Sequence, residues 1–213
     1  MNKKRIILVG CGEHAGMVID NIEAQNKFKI AGMTSHQPSD IGLSKYGYKV
    51  VGLDSDIPKL IEKYNIDFYF LGVGNLKVRR ELAAYYDQYL NTVNIIHPNT
   101  EISTHSTIGS GNIIEAYTKI ANGVSMGDHC ILNSFTAINH DQTVGDNTLI
   151  AGGVNLAGRT IGSDTIISDG ATIGFKVNIG NNCIIGDGAV VTKDIEDNTI
   201  AYGCPAKPIR KNE

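Results

Sequence analysis

The chain has 213 residues, room for one domain or two small ones, and 42% of them are hydrophobic, enough to build a core. Only 19% are charged, which argues against disordered tails and coiled coils. A net charge of −3 with no basic block argues against nucleic acid, and no apolar run approaches the roughly 20 residues that span a bilayer.

In chain order, the first half alternates strand-like and helix-like segments. Arg5–Val9 reads as a buried strand, followed by the loop Gly10-Cys-Gly-Glu-His-Ala-Gly16 and a helix from His14 to about Gln25. Phe28–Met33 is a second strand, Leu53–Tyr64 a helix, Asp67–Gly72 a third strand, Leu76–Leu90 a helix and Thr92–Ile96 a last strand. This is a βαβαβ order with a parallel sheet, an N-terminal Rossmann-like α/β domain over residues 1–95.

From Ile96 the period changes. An aliphatic residue returns at every sixth position, through Ile102, Ile108, Ile114, Ile120, Met126, Leu132, Ile138, Val144, Ile150 and Leu156. The count slips by one residue near Gly158–Thr160 and resumes at Ile161, Ile167, Ile173, Ile179, Ile185 and Val191. Internal hexapeptide periodicity is the sign of a parallel β-helix in which three units make one coil. A second domain over residues 96–213 is therefore expected to be a β-helix, with the aliphatic residues pointing inward.

In the first loop, Gly10, Gly12 and Ala15 fit a G-x-G-x-x-[GA] pattern between strand and helix. Backbone N–H groups of Gly10, Gly12, Glu13 and His14 at a helix start favour phosphate. The domain has room for one mononucleotide half only, and the second strand ends Gly32-Met33-Thr34-Ser35 without the acid expected on a ribose. A nucleoside diphosphate sugar is the better ligand than NAD. His14 is either a ligand contact or a packing residue at the helix start.

Of six histidines, His36 sits in a polar loop, His97 at the junction, and His105 and His129 at turn positions of the repeat. His140 differs: it follows the inward Ile138 by two residues, near a corner, and Asp141 comes directly after it. Cys11, Cys130, Cys183 and Cys204 are far apart and form no C-x-x-C pair. The basic start Met1–Arg5 leads into too short an apolar run for a secretion signal. A cytoplasmic protein with free thiols is expected. No metal-ligand spacing is evident among the Asp and His residues.

The hexapeptide run and the ending Tyr202-Gly-Cys-Pro-Ala-Lys207, similar to a closing G-x-P-A-[KR] signature, resemble the left-handed β-helix acyltransferases. With the N-terminal βαβ domain and the Ile96-His-Pro-Asn99 junction, nearly the whole chain resembles bacterial nucleotide-sugar N-acetyltransferases, the UDP-4-amino-sugar type most of all. Sialic acid O-acetyltransferases share the plan. The resemblance implies acetyl-CoA as cosubstrate, a UDP-linked amino sugar as acceptor, a role in bacterial surface glycan synthesis, and a homotrimer with sites between subunits. It assigns catalysis to His140 with Asn133 and Asp141, and the oxyanion donor to Gly158 in Leu156-Ala-Gly. The wall for the acetyl-CoA arm falls on Asp169, Gly170, Asp187 and Gly188, with Lys207 near its phosphates. It puts Glu13, His14, Gly74 and Asn75 by the sugar nucleotide, together with Thr34 and Ser35, where relatives usually carry paired aspartates. A second histidine of the family is replaced by Leu149.

The chemistry fits such a set. A neutral imidazole, with an ordinary pKa near 6.5, can take the proton an amine loses as it attacks a thioester. The developing oxyanion needs a fixed N–H donor. Two other readings stay open: O-acetylation of a sialic acid, and a non-catalytic β-helix scaffold, suggested by Leu149 and the slipped repeat.

Overall fold

Ile6, Ile7, Leu8 and Val9 are completely buried because the strand they form, β1 (Lys4–Val9), has a parallel neighbour on each side. The structure is a computed structural model that describes residues 3–213; Met1 and Asn2, the head of the basic start noted above, lie outside the described residues. The chain divides into two compact units, Met1–Ile95 and Ile96–Glu213.

In the first unit β1 is followed by α1 (Glu13–Gln25), β2 (Phe28–Ser35), the hairpin β3 (Ser44–Lys45) and β4 (Tyr48–Leu53), α2 (Ile57–Tyr64), β5 (Phe68–Leu71) and α3 (Leu76–Tyr86). The sheet order is β3-β4-β2-β1-β5, parallel except for β3 against β4. The hairpin is an addition to the elements expected from sequence. It forms because Tyr46 and Gly47 both take positive φ, 52° and 81°, giving a two-residue turn whose twist suits a hairpin. As a result Leu53 closes a strand instead of opening a helix; Asp54–Asp56 make one 3₁₀ turn before α2. The expected strand Thr92–Ile96 is also different: Thr92 makes one bridge to Tyr69, and the strand Ile95–Ile96 joins the ladder of the β-helix.

The second unit is the expected parallel β-helix. Two-residue strands recur to Val190–Val191 and stack into three sheets. Each strand pairs with the one a coil later, as in Ala137↔Asn155 and Ile138↔Leu156. The aliphatic residues of the repeat fill the interior: Ile120, Ile138, Leu156 and Ile173 are at most 1% exposed. Burying each such side chain contributes roughly 1.5–3 kcal/mol. Buried hydroxyls inside the corners find carbonyls: Thr136 donates to Ala151 O at 2.9 Å and Thr165 to Gly180 O at 2.8 Å.

Four residues normally turn the corner between the sheet holding Ala137–Ile138 and the sheet holding Thr143–Val144: Asn139, His140, Asp141 and Gln142. The third of them, Asp141, takes φ 57°. One coil later the same corner, between Asn155–Leu156 and Thr160–Ile161, has only Ala157, Gly158 and Arg159. The residue with positive φ is missing. This is the slip seen in the repeat, and pairing across it runs Leu156↔Ile173 and Val144↔Ile161. The next coil turns with four residues again, Gly174 to Val177, and Lys176 returns to φ 61°.

Candidate functional site

The shortened corner lies between two full ones, so Gly158 is set back between His140 and Phe175, which follow inward residues by the same two positions. Asn139, His140, Asp141, Ala157, Gly158, Arg159, Phe175 and Lys176 line the resulting notch of about 460 Å³. His140 Nδ1 is 2.8 Å from Asp141 Oδ2. A neutral ring that donates from Nδ1 to a carboxylate carries its lone pair on Nε2. Both side chains are well exposed, 65% and 74%.

Gly158 is buried, and a Cβ on it would meet Val177 O at 2.8 Å and Ile173 Cγ2 at 2.9 Å. The backbone N–H groups on either side are spent, Ala157 on Ile173 O and Arg159 on Val177 O. The N–H of Gly158 donates no hydrogen bond among the described residues. The notch therefore combines a ring nitrogen able to accept a proton with an undirected backbone donor.

Asn133 is not part of it. It begins the corner after Ile131–Leu132, where the chain passes from the eight-stranded sheet to the six-stranded one. His140 is on the following corner, where the chain leaves the six-stranded sheet. Asp169 and Gly170, and Asp187 and Gly188, stack on the Asn133 edge. Asp169 Oδ1 accepts the Gly152 N–H at 2.9 Å, and Gly170 and Gly188 take φ 67° and 61° with open space where a Cβ would be. Above these glycines, Tyr117 and Phe135 stack at 5.1 Å and are 60% and 66% exposed. The expected residues of the β-helix thus fall on two edges. Lys207 is exposed on the C-terminal strand Ala206–Lys211, and Leu149 is half-buried in the strand Leu149–Ile150. His97 accepts the Asn99 N–H on Nδ1 at 3.0 Å, a turn contact of the junction.

In the first unit a cleft of about 810 Å³ opens at the carboxyl ends of β1, β2, β4 and β5, the end of a parallel sheet where ligands bind. Gly10, Gly12, Glu13, His14, Ser35 and Gly74 line it, as the sequence suggests. Gly10 needs its glycine: φ is 92°, and a Cβ would lie 2.6 Å from Val73 Cγ2. Gly12 caps α1 and has nothing within 4 Å of a would-be Cβ. His14 packs on Gly74, and its Nε2 is buried without a partner. Burial, then the positive charge of Arg79, lowers its pKa to about 4, so the ring is neutral at pH 7.

Two expected contacts differ. Thr34 is 0% exposed, so it reaches no ligand; its Oγ1 donates to Asp54 Oδ1 at 2.6 Å. Asn75 caps α3, accepting the Val78 N–H at 3.1 Å, and is outside the cleft lining. Beneath the Val73-Gly74-Asn75 turn is a residue the sequence gave no reason to single out: Arg79, fully buried, donates to Leu71 O and Val73 O at 3.1 and 2.8 Å. Asp40, Lys45 and Asp54 also line the cleft unforeseen. Ser35 Oγ donates to Asp40 Oδ2 at 2.6 Å, and Lys45 lies 3.5 Å from Asp40 Oδ1 and 3.4 Å from Cys11 Sγ. The Ser35 hydrogen bond holds the Asp40 carboxyl below the usual range. The signal for this group was the aromatic and β-branched run Tyr48-Lys-Val-Val-Gly-Leu53 after the turn residues Tyr46-Gly47, which predicts β4 and so the place where Asp54 emerges.

Comparison with known proteins agrees with both units. Residues 5–86 match the PglD N-terminal domain family. PerB from Caulobacter crescentus, solved in complex with CoA and GDP-perosamine, is 27% identical with a TM-score of 0.87, over 96% of this chain and 97% of that one. The acetyltransferase domain of PglB from Neisseria gonorrhoeae, in complex with acetyl coenzyme A, is 25% identical with a TM-score of 0.88, over 98% and 100%. A protein of Schizosaccharomyces pombe that carries an acetyltransferase name is 53% identical over 53 residues; the match spans 25% of this chain and 23% of that relative. The fold is a Rossmann-like α/β domain followed by a left-handed hexapeptide β-helix, and along nearly its full length the chain is similar to a GDP-perosamine N-acetyltransferase and to the PglB acetyltransferase domain.

Proposed function

We propose that this chain, with its PglD-type N-terminal domain and the full-length fold of sugar N-acetyltransferases, transfers an acetyl group from acetyl-CoA to the amino group of a nucleotide-linked amino sugar. The observation that carries the reading is the notch: His140, oriented by Asp141 at 2.8 Å, beside a Gly158 N–H that donates to nothing else among the described residues. His140 Nε2 takes the proton from the attacking amine, and the Gly158 N–H donates to the carbonyl oxygen as charge builds there. No enzyme nucleophile takes part; the amine attacks the thioester directly, the C–S bond breaks as the intermediate collapses, and CoA leaves as the thiol with the proton His140 took from the amine. Phe175 and Lys176 offer an apolar face and a cation on the other side of the notch. The α/β cleft holds the diphosphate carrier at Gly10, Gly12 and the start of α1. Uridine diphosphate is the carrier expected from sequence.

The Asn133 edge belongs to the same reaction through a second copy. Asn133, Gly170 and Gly188 cannot join His140 within one chain because they stand on a different corner of each coil. A neighbour that lays this edge along the notch completes the site, and three copies close the arrangement around a threefold axis. The experiment is to follow CoA release with UDP-, GDP- and dTDP-linked amino sugars, in the wild type, His140→Ala and Asn133→Ala. Acetylation of at least one amino sugar, lost in both variants and partly regained when the two are unfolded and refolded together, is the expected result. Turnover in His140→Ala equal to wild type removes the ring from the mechanism. Two inactive variants that stay inactive together remove the shared site.

A further inference from the structure

Thr34 and Ser35 end β2 at the place where a parallel nucleotide-binding sheet usually presents an acid to the ribose. Neither residue has a carboxyl group, yet each hydroxyl holds one: Thr34 holds Asp54 and Ser35 holds Asp40, both at 2.6 Å. We propose that Asp54, delivered from the neighbouring strand and fixed by Thr34, is the group that reads the ribose hydroxyls of the nucleotide. This rests on the reading of the α/β cleft as the nucleotide site.

Sheet order makes the delivery possible. β4 lies beside β2, with Thr34 paired to Gly52 and Ser35 to Leu53, so the chain leaves β4 at Asp54 next to the end of β2. The acid comes from 20 residues away in sequence but from the same end of the sheet. Thr34 Oγ1 also lies 3.4 Å from the N–H of Gly10, the first residue of the phosphate loop. One hydroxyl therefore ties the phosphate loop to the carboxylate. A ribose is the part of a nucleotide directly next to its phosphates.

The two acids differ in what they have left to give. Asp40 is saturated by Ser35 Oγ, Cys11 Sγ and Lys45 Nζ. Asp54 accepts from Thr34 on Oδ1, and its Oδ2 accepts no hydrogen bond among the described residues. Asp54 is half-buried and lines the cleft, and no cation among the described residues forms an ion pair with it. Burial raises its pKa, with Thr34 and then His36 opposing. A half-buried carboxylate with a spare oxygen calls for donors. The vicinal hydroxyls of a ribose supply two, whereas the pairing edge of uracil sets two carbonyl oxygens around one N–H.

The test is titration calorimetry of the full-length protein with UDP and GDP and with their 2′,3′-dideoxy analogues. The wild type is expected to prefer the ribonucleotide by about ten- to hundredfold, the range for hydrogen bonds to a charged group. In Asp54→Ala the preference falls to within about threefold, because the dideoxy form has nothing to lose there. Asp54→Asn keeps the volume and guards against misfolding; it is expected to retain only part of the preference. Thr34→Val leaves the acid but frees it, and reduces the ratio too, a change that loss of packing alone does not produce. A full ribose preference in Asp54→Ala and Asp54→Asn, with the diphosphates still bound, overturns the assignment and leaves the nucleotide cleft standing. Failure of the wild type to bind either diphosphate overturns both.

Discussion

At the β-helix notch the side chains proposed to react stand in the open, whereas in the N-terminal cleft the polar groups are sunk into the end of a sheet. His140 and Asp141 touch each other and little else, and the notch exists because one residue is missing from a corner. Arg79, Thr34 and His14 are wholly or largely enclosed, and what they touch are carbonyls, a carboxylate and the backbone of Gly74. The difference separates two kinds of loss. On the proposed function, substitution of the exposed notch side chains removes chemistry without touching the fold. Substitution in the cleft removes recognition and stability together.

The sharpest contrast is expected from His140→Ala, with acetyl transfer down about 10²–10⁴-fold. The thermal midpoint should barely move, since exposed substitutions stay within about ±0.5 kcal/mol. Initial rates and a melting curve on one preparation check both halves. Arg79→Met is the opposite case. It strands the carbonyls of Leu71 and Val73, each at a cost of about 1–3 kcal/mol, so a denaturant midpoint should fall by the equivalent of about 3 kcal/mol. A midpoint unchanged within error would mean those carbonyls find other donors. Gly158→Ala tests whether the notch is as undemanding as its exposed residues suggest. The added methyl meets Val177 O at 2.8 Å, so a loss of about 1–3 kcal/mol should accompany the fall in activity.

A fourth prediction concerns pH. His14 has its pKa lowered to about 4, while an unfolded-chain histidine titrates near 6.5. Between those values the unfolded state binds the extra proton, so the contribution is complete above about pH 6.5 and is lost as pH falls toward 4. Thermal midpoints should therefore drop from pH 7 to pH 5 in the wild type and drop less in His14→Asn. Identical pH profiles for the two proteins would show that the ring is solvated. The smallest effect is expected from Asn75→Ala, about 1 kcal/mol through the lost helix cap, with nucleotide binding retained.

Much of this was readable in advance. Ile120, Ile138, Leu156 and Ile173 announce the β-helix, and the count from Leu156 to Ile161 announces the short corner. Gly10, Gly12 and His14 announce the loop that lines the α/β cleft. Asp54 is hidden in the sequence because its place depends on β4 lying beside β2, and Thr34 looks there like a missing aspartate when in the sheet it is the holder of one. Asn75 shows the reverse: a residue that matches a binding motif has its side-chain oxygen committed to the backbone.

What the sequence by itself determined is therefore the one-dimensional part: the repeat, the inward residues, the place of the slip and the loop between β1 and α1. These depend on periods of a few residues, and each is settled by near neighbours. What only the tertiary structure decided is which groups meet. Sheet order brought Asp54 to Thr34 across 20 residues, and the turn after β5 brought Arg79 under the carbonyls of Leu71 and Val73. Such contacts follow from which strands lie side by side, an order that no local pattern encodes.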